Sequence, residues 1–289
     1  FIGASAGVTL LLLGYFTLAS PRFQARLAGC ARASRSFPWL AALCLTLPYL
    51  AYALPRRRFS IRTLACLLLY LITPLLLLGL RRRESALLDF SALILIWIPL
   101  ELRWLPPLWP WPGQSGHSLD GLLGVLLAVV CFRGLRDLQG IGFTLIPTVR
   151  DWRLAGLGAA LFLPVAVGIG LLTGFAHPVS HAPAFLPSLA RVLGVFLMTG
   201  VPEELLFRGL FQNLLLRWSG SSLPSLALSA GIFGASHWNV GQHADWRLIL
   251  LATMAGILYG RLYEATRGLM APALAHTLVN AIWILFFRV

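Results

Sequence analysis

The sequence predicts an all-α, polytopic transmembrane helical bundle of about eight to ten spans, and three observations carry that expectation. Hydrophobic residues make up 58% of the 289 and charged residues 11%, whereas a soluble domain runs at roughly 45–50% apolar and about 25% charged. Mean hydropathy is +0.81, which also excludes disorder, because a chain this apolar must bury its surface somewhere. Finally, apolar stretches recur along the whole length, with short arginine runs between them.

A spanning helix needs about 20 predominantly apolar residues. That length picks out ten windows in order: 3–19, 38–54, 63–80, 86–100, 119–132, 154–175, 188–217, 222–238, 246–262 and 268–287. Window 86–100 contains Asp89 and runs into Glu101, and 119–132 is short, so a count without these two gives eight. No long polar linker divides the chain. It therefore reads as one membrane domain preceded by an N-terminal transmembrane extension over 1–118. The segment from Gly134 to Arg153 is less apolar and contains Asp137 and Asp151. It fits either an amphipathic helix on the cytoplasmic face or a plain loop.

The net charge is +13, and all 23 basic residues are arginine. Arg56, Arg57, Arg58 and Arg62, then Arg81, Arg82 and Arg83, sit between apolar windows, where basic runs serve as anchors at the ends of spans. That placement argues for a lipid bilayer as the partner and against nucleic acid. With ten spans, the odd-numbered loops hold fourteen arginines and the even-numbered loops with the C-terminus hold seven. This places the odd loops in the cytoplasm and both termini outside. The four cysteines, Cys30, Cys44, Cys66 and Cys131, form no CxxC and no zinc-like spacing. No stretch reads as a cleavable signal peptide with a small-residue cleavage site.

The chemistry is concentrated in Gly200-Val201-Pro202-Glu203-Glu204-Leu205-Leu206-Phe207-Arg208, inside the seventh apolar window. An ionisable group within a span is costly and marks a functional site by default. Pro202 suits the first turn of a helix, so Gly200-Val201-Pro202 predicts a break with a new segment starting near the glutamates. Adjacent residues on a helix point about 100° apart. Glu204 and Arg208, four apart, share a face and can form an ion pair, which makes both structural. Glu203 points elsewhere and has no partner in its own helix, which makes it the candidate general base or acid. Two more windows carry polar residues at the same spacing: Phe233-Gly234-Ala235-Ser236-His237, and His276-Thr277-Leu278-Val279-Asn280, where His276 and Asn280 share a face.

At these residues the chain resembles the CAAX prenyl protease and bacteriocin-processing family of intramembrane proteases. That family's three motifs, EExxxR, FxxxH and HxxxN, are intact and in order on separate apolar windows. The resemblance covers about 154–289, and the family's core is taken to begin nearer 119, giving a protease-like domain over 119–289. It implies an all-helical membrane enzyme that hydrolyses a peptide bond in a cavity near mid-membrane. In eukaryotic relatives the substrate is a prenylated C-terminal CaaX tail. Bacterial relatives are linked to bacteriocin maturation or self-immunity. By motif match Glu203 with His237 would activate water, while His276 and Asn280 would face the oxyanion of the tetrahedral intermediate. Glu204, Arg208 and Phe233 would support the site. The partners implied are the bilayer and a peptide or protein substrate, and the location is a bacterial inner membrane.

The resemblance to metal-independent, glutamate-type relatives favours a site without a cofactor. A zinc-dependent protease with Glu203, His237 and His276 as ligands is the alternative, since one carboxylate and two histidines form an adequate set, although HExxH is absent. A non-proteolytic membrane scaffold or self-immunity protein would keep the motifs without hydrolysis. A transporter would use the same ionisable groups as an ion path, but should show inverted repeats between halves, and none is visible. Gly3-Ala4-Ser5-Ala6-Gly7 matches GxSxG formally, yet small residues four apart point to close helix packing, and the strand–turn–helix context of a nucleophile elbow is missing. His177, His181 and His243 fall in loops and are read as solvated. Trp104, Trp109 and Trp111 read as an interfacial aromatic belt.

Overall fold

A computed structural model describes residues 2–80, 84–109, 116–180, 184–239 and 244–288. Among these the chain is all-α, apart from a two-residue antiparallel pairing of His177–Pro178 with Phe287–Arg288. Every one of the ten apolar windows lies on a helix. In order these are α1 (Ile2–Leu18), α3 (Phe37–Ala53), α4 (Ile61–Leu80), α5 (Ala86–Glu101), α6 (Gly116–Val129) and α7 (Val149–Leu172), with α2 (Pro21–Ala33) between the first two. A long helix over 185–219 follows, then α11 (Ser222–Ser236), α12 (Trp246–Thr266) and α13 (Met270–Phe286). The long helix contains α8 (Phe185–Val195), α9 (Val201–Glu204) and α10 (Asn213–Ser219), joined by π-helical turns. Among the described residues, α4, α7, the 185–219 helix and α12 are each long and apolar enough to cross a membrane, giving four. A fifth is reached if α1 and α2, bent by 92°, are counted as one span, and α3, α11 and α13 are shorter apolar helices.

The chain forms two compact units, Phe1–Gln139 and Gly140–Val289. Residues 119–139 thus cluster with the N-terminal unit, beyond the boundary read at 118. The packing explains this: α6 lies against α1 and α5, and its π-helical continuation Val130–Leu135 lies against α2 and α4. Helices α1, α3, α4, α5 and α6 each pack on the next, and α6 returns to α1. A Cβ added at Gly7 would fall 2.7 Å from the Pro48 carbonyl oxygen on α3, so Gly7 does mark close helix packing. Residues 136–148 form a loop, not an amphipathic helix. The three tryptophans part company: Trp104 is exposed, Trp109 is buried with its ring edge-on to Tyr52 at 5.5 Å, and Trp111 lies outside the described residues. Arg81, Arg82 and Arg83 also lie outside them.

Asp89, which lowered the apolarity of its window, is paired. Arg136 Nε donates to its Oδ1 at 2.7 Å, with the two side chains only 4% and 3% exposed. In the C-terminal unit, α7 starts on a capping box in which Thr148 Oγ1 accepts from the Asp151 N–H and Asp151 accepts from the Thr148 N–H. The loop just before it is tied to the corner between α12 and α13. Gly142 has φ +68, its carbonyl accepts from the Leu269 N–H at 3.2 Å, and a Cβ there would meet Gly268 Cα at 2.7 Å. Tyr263 Oη donates to the Gly140 carbonyl on the same loop. α11 and α12 make an extensive interface, and α13 packs between α7 and the 185–219 helix.

Removing one partner of a buried ion pair costs about 3–5 kcal/mol. Asp89→Leu is therefore expected to lower the thermal unfolding midpoint of detergent-purified protein clearly, and Asp89→Leu combined with Arg136→Leu to lower it less. Equal midpoints for wild type and Asp89→Leu would contradict the structural role of the pair.

Candidate active site

The 185–219 helix runs for 35 residues without leaving helical geometry. The break expected at Gly200-Val201-Pro202 is not there. Instead Phe196–Gly200 is π-helical, Val201–Glu204 is a single α turn, and Leu205–Gln212 is π-helical again. Pro202 has no N–H to donate to the preceding turn. A widened turn immediately before it absorbs that mismatch while the chain stays helical, as π-bulges in spans do. The two glutamates thus lie on one α turn held between two widened ones.

The divergence of the adjacent glutamates follows the helical spacing. The Glu204 side chain is 0% exposed, while that of Glu203 is 34% exposed. Glu204 Oε1 accepts from Arg208 Nη1 at 3.0 Å, one turn along the same helix, and from His276 Nδ1 at 2.8 Å, from α13. Arg208, also 0% exposed, donates from Nη2 to the Gly256 carbonyl on α12 at 3.0 Å. Its guanidinium carbon lies 4.5 Å from the centre of the Phe233 ring and 5.3 Å from that of Tyr259, where the ring faces attract a cation. The carboxylate oxygen Oε2 of Glu204 is buried and has no hydrogen-bond partner among the described residues.

His276 touches both glutamates. Its Nε2 lies 3.8 Å from Glu203 Oε2, while Nδ1 is committed to Glu204. The imidazole is stacked on the Tyr259 ring, 4.9 Å between centroids with 10° between planes, and meets the edge of Phe233 at 5.8 Å. A carboxylate facing a permanently charged arginine can only accept, so His276 Nδ1 carries the hydrogen and the neutral ring presents a bare Nε2 toward Glu203. This ring donates a hydrogen bond to an oxyanion only when protonated at Nε2. His237, on the turn that ends α11, behaves alike: its Nδ1 donates to the Phe233 carbonyl at 2.8 Å, which leaves Nε2 as the basic atom. Its ring also lies against Phe233, 4.8 Å between centroids.

The structure thus brings Glu203, Glu204, Arg208 and His276 into direct contact and joins His237 to them through Phe233. Asn280 stands one turn after His276 on α13, partly buried, and makes no hydrogen bond among the described residues. Among those residues no group of three or more His, Cys, Asp or Glu side chains is arranged to hold a metal ion. Of the other histidines, His177 is exposed in the short strand pairing, and His181 and His243 lie outside the described residues.

Two contributors were missed from the sequence. Tyr259 supplies the ring on which His276 stacks, and Gly256 supplies both a carbonyl for Arg208 and room for it. A Cβ at Gly256 would meet Ala230 Cα at 3.0 Å, so α11 and α12 approach this closely only because that position is bare. The signal was present as Gly256-Ile257-Leu258-Tyr259-Gly260, two glycines four apart flanking a tyrosine in an apolar window. Gly200 plays the same part toward α13, where an added Cβ would fall 2.9 Å from Thr277 Oγ1 and 3.2 Å from the Ala273 carbonyl.

The gathered residues all lie between Glu203 and Asn280, inside the stretch that resembles a known family. Residues 185–282 match the Rce1-like family. That family is described as type II CAAX prenyl endopeptidase Rce1-like. The protein YpbD of Bacillus subtilis (strain 168), described as uncharacterized, is 29% identical over 96 residues, which cover 33% of this chain and 45% of that protein. The chain thus spans less than half the length of this curated relative. No solved structure matches the chain. Together with the apolar helices, the Rce1-like match supports an integral membrane protein whose C-terminal unit is similar to a membrane protease.

Arg208→Leu leaves Glu204 buried with its charge uncompensated, at a cost of about 3–5 kcal/mol. The expected outcome is a marked fall in folded yield and thermal midpoint, part of which Glu204→Leu restores in the double variant. A full-strength midpoint for Arg208→Leu alone, read by differential scanning fluorimetry, would show that the pair does not hold the site together.

Proposed function

We propose that this chain is an intramembrane endopeptidase of the CAAX-protease type. It cleaves a peptide bond near the C-terminus of a membrane-associated protein or peptide, prenylated or plain, with water activated by Glu203 and histidine. The observation that carries this reading is the contrast within one helical turn: Glu204 is sealed by Arg208 and His276, while Glu203 stays partly exposed beside the Nε2 of His276. A sealed, paired carboxylate serves structure, and an accessible one next to a basic imidazole can take a proton.

In the proposed reaction Glu203, assisted by His237, removes a proton from water as the oxygen attacks the scissile carbonyl carbon. The new C–O bond forms, and the carbonyl electron pair moves onto oxygen. The reacting form is the one in which His276 has already taken a proton from solvent on Nε2 while Nδ1–H stays on Glu204; that Nε2–H and the Asn280 amide donate to the oxyanion, and His276 keeps its proton throughout. Collapse breaks the C–N bond, and the proton held by Glu203 passes to the leaving amine. No step passes through a metal or cofactor. We further read the ten apolar helices as the eight to ten spans of a bacterial inner-membrane protein, with the bilayer and the peptide as its partners and no nucleic acid.

The test is cleavage of prenylated and plain C-terminal peptides by detergent-purified protein, with and without chelator. General acid–base groups contribute about 10²–10⁴-fold, so Glu203→Gln is expected to lose at least about 10²-fold in turnover, with cleavage by the wild type indifferent to chelator. Unchanged turnover in Glu203→Gln would remove Glu203 from the mechanism. Loss of wild-type cleavage to chelator would favour the zinc protease, and an inert wild type the scaffold or self-immunity protein.

A further inference from the structure

The N-terminal unit carries a basic helix outside the candidate active site. α2 leaves α1 at 92°, and the bend is held by Gln24 Nε2, which donates to the Leu18 carbonyl at 2.7 Å. The two helices differ in kind: α1 is mostly apolar and carries no charged residue, whereas the thirteen residues of α2 include Arg22, Gln24, Arg26 and Arg32 and no acidic residue. With α1 read as one of the proposed spans, a basic helix set at a right angle to it lies along the plane of the membrane surface. Its inner face is Gln24, Ala28 and Ala31, spaced i, i+4, i+7 and buried, with Leu27 seated against Gly134.

The outer face is where the charge stands. Arg32 is paired, donating to Asp137 at 2.9 Å. Arg22 and Arg26 are exposed, one turn apart, and make no ion pair or hydrogen bond among the described residues. Like charges at that spacing repel each other on a helix, so the folded protein keeps a local charge that its own described residues do not offset. Phe23 sits next to them and is exposed as well, which places an aromatic ring beside two cations, the pairing favoured at the border between headgroups and acyl chains. Guanidinium groups match the paired oxygens of a phosphate.

We infer that the Arg22 and Arg26 face of α2 binds the phosphodiester headgroups of anionic phospholipids. The lipid neutralises the two guanidiniums and fastens the bend between α1 and α2 to the membrane surface.

The test uses the whole protein in detergent, reading its thermal unfolding midpoint with added phosphatidylglycerol, phosphatidylcholine or inorganic phosphate. The expected result is a rise with phosphatidylglycerol that exceeds the rise with phosphatidylcholine, shrinks in high salt, and is not reproduced by inorganic phosphate. Arg22→Gln with Arg26→Gln should lose most of the phosphatidylglycerol increment. Arg22→Lys with Arg26→Lys should keep more of it. Arg62→Gln, at the start of α4 and the opposite end of the α3–α4 pair, should keep it in full. The inference is overturned if phosphatidylcholine or inorganic phosphate does as well as phosphatidylglycerol, if the Gln pair retains the increment, or if Arg62→Gln loses as much.

Discussion

A carboxylate buried in an apolar interior must be given permanent partners, and the C-terminal unit is arranged around meeting that demand at Glu204. A single oxygen, Oε1, takes one hydrogen bond from Arg208 and one from His276. The Arg208 guanidinium brings its own demand, met by the Gly256 carbonyl and by the faces of Phe233 and Tyr259. The 185–219 helix, α11, α12 and α13 are thereby tied to one charge pair. A charge within a span costs at least about 2.5 kcal/mol on insertion scales, so these contacts offset a penalty that would otherwise oppose the fold.

The same arrangement sets the surroundings of Glu203. Because Glu204 holds His276 by Nδ1, the imidazole cannot turn away, and its Nε2 stays near Glu203. Tyr259 fixes the plane of that ring by stacking on it. The bare positions at Gly200 and Gly256 let α13 and α11 come close enough for these contacts. On the proposed reading, structural and chemical roles are divided between two neighbouring residues of identical type, which helical geometry turns to different surroundings.

Much of this was legible in the sequence. All ten apolar windows lie on helices, because a long apolar run in lipid has few other ways to satisfy its backbone groups. The Glu204–Arg208 pair followed from i, i+4 spacing, and the resemblance read from three motifs agrees with the Rce1-like match. Contacts across helices were not legible. Spacing puts His276 and Asn280 on one face, but cannot say that His276 would spend its Nδ1 on Glu204 rather than point both nitrogens at a substrate. The helix around Pro202 was misread as broken because a proline in a span can be absorbed by a π turn as well as by a gap. Trp109 was misplaced at a surface because aromatic composition does not reveal that Tyr52 covers it.

The division between the two glutamates is tested most directly by comparing the thermal unfolding midpoints of Glu203→Gln and Glu204→Gln in the same detergent. The account predicts that Glu204→Gln falls by several degrees, since it removes the charge facing the fully buried Arg208, and that Glu203→Gln stays at the wild-type value. Equal losses in both variants, or a larger loss in Glu203→Gln, would contradict it.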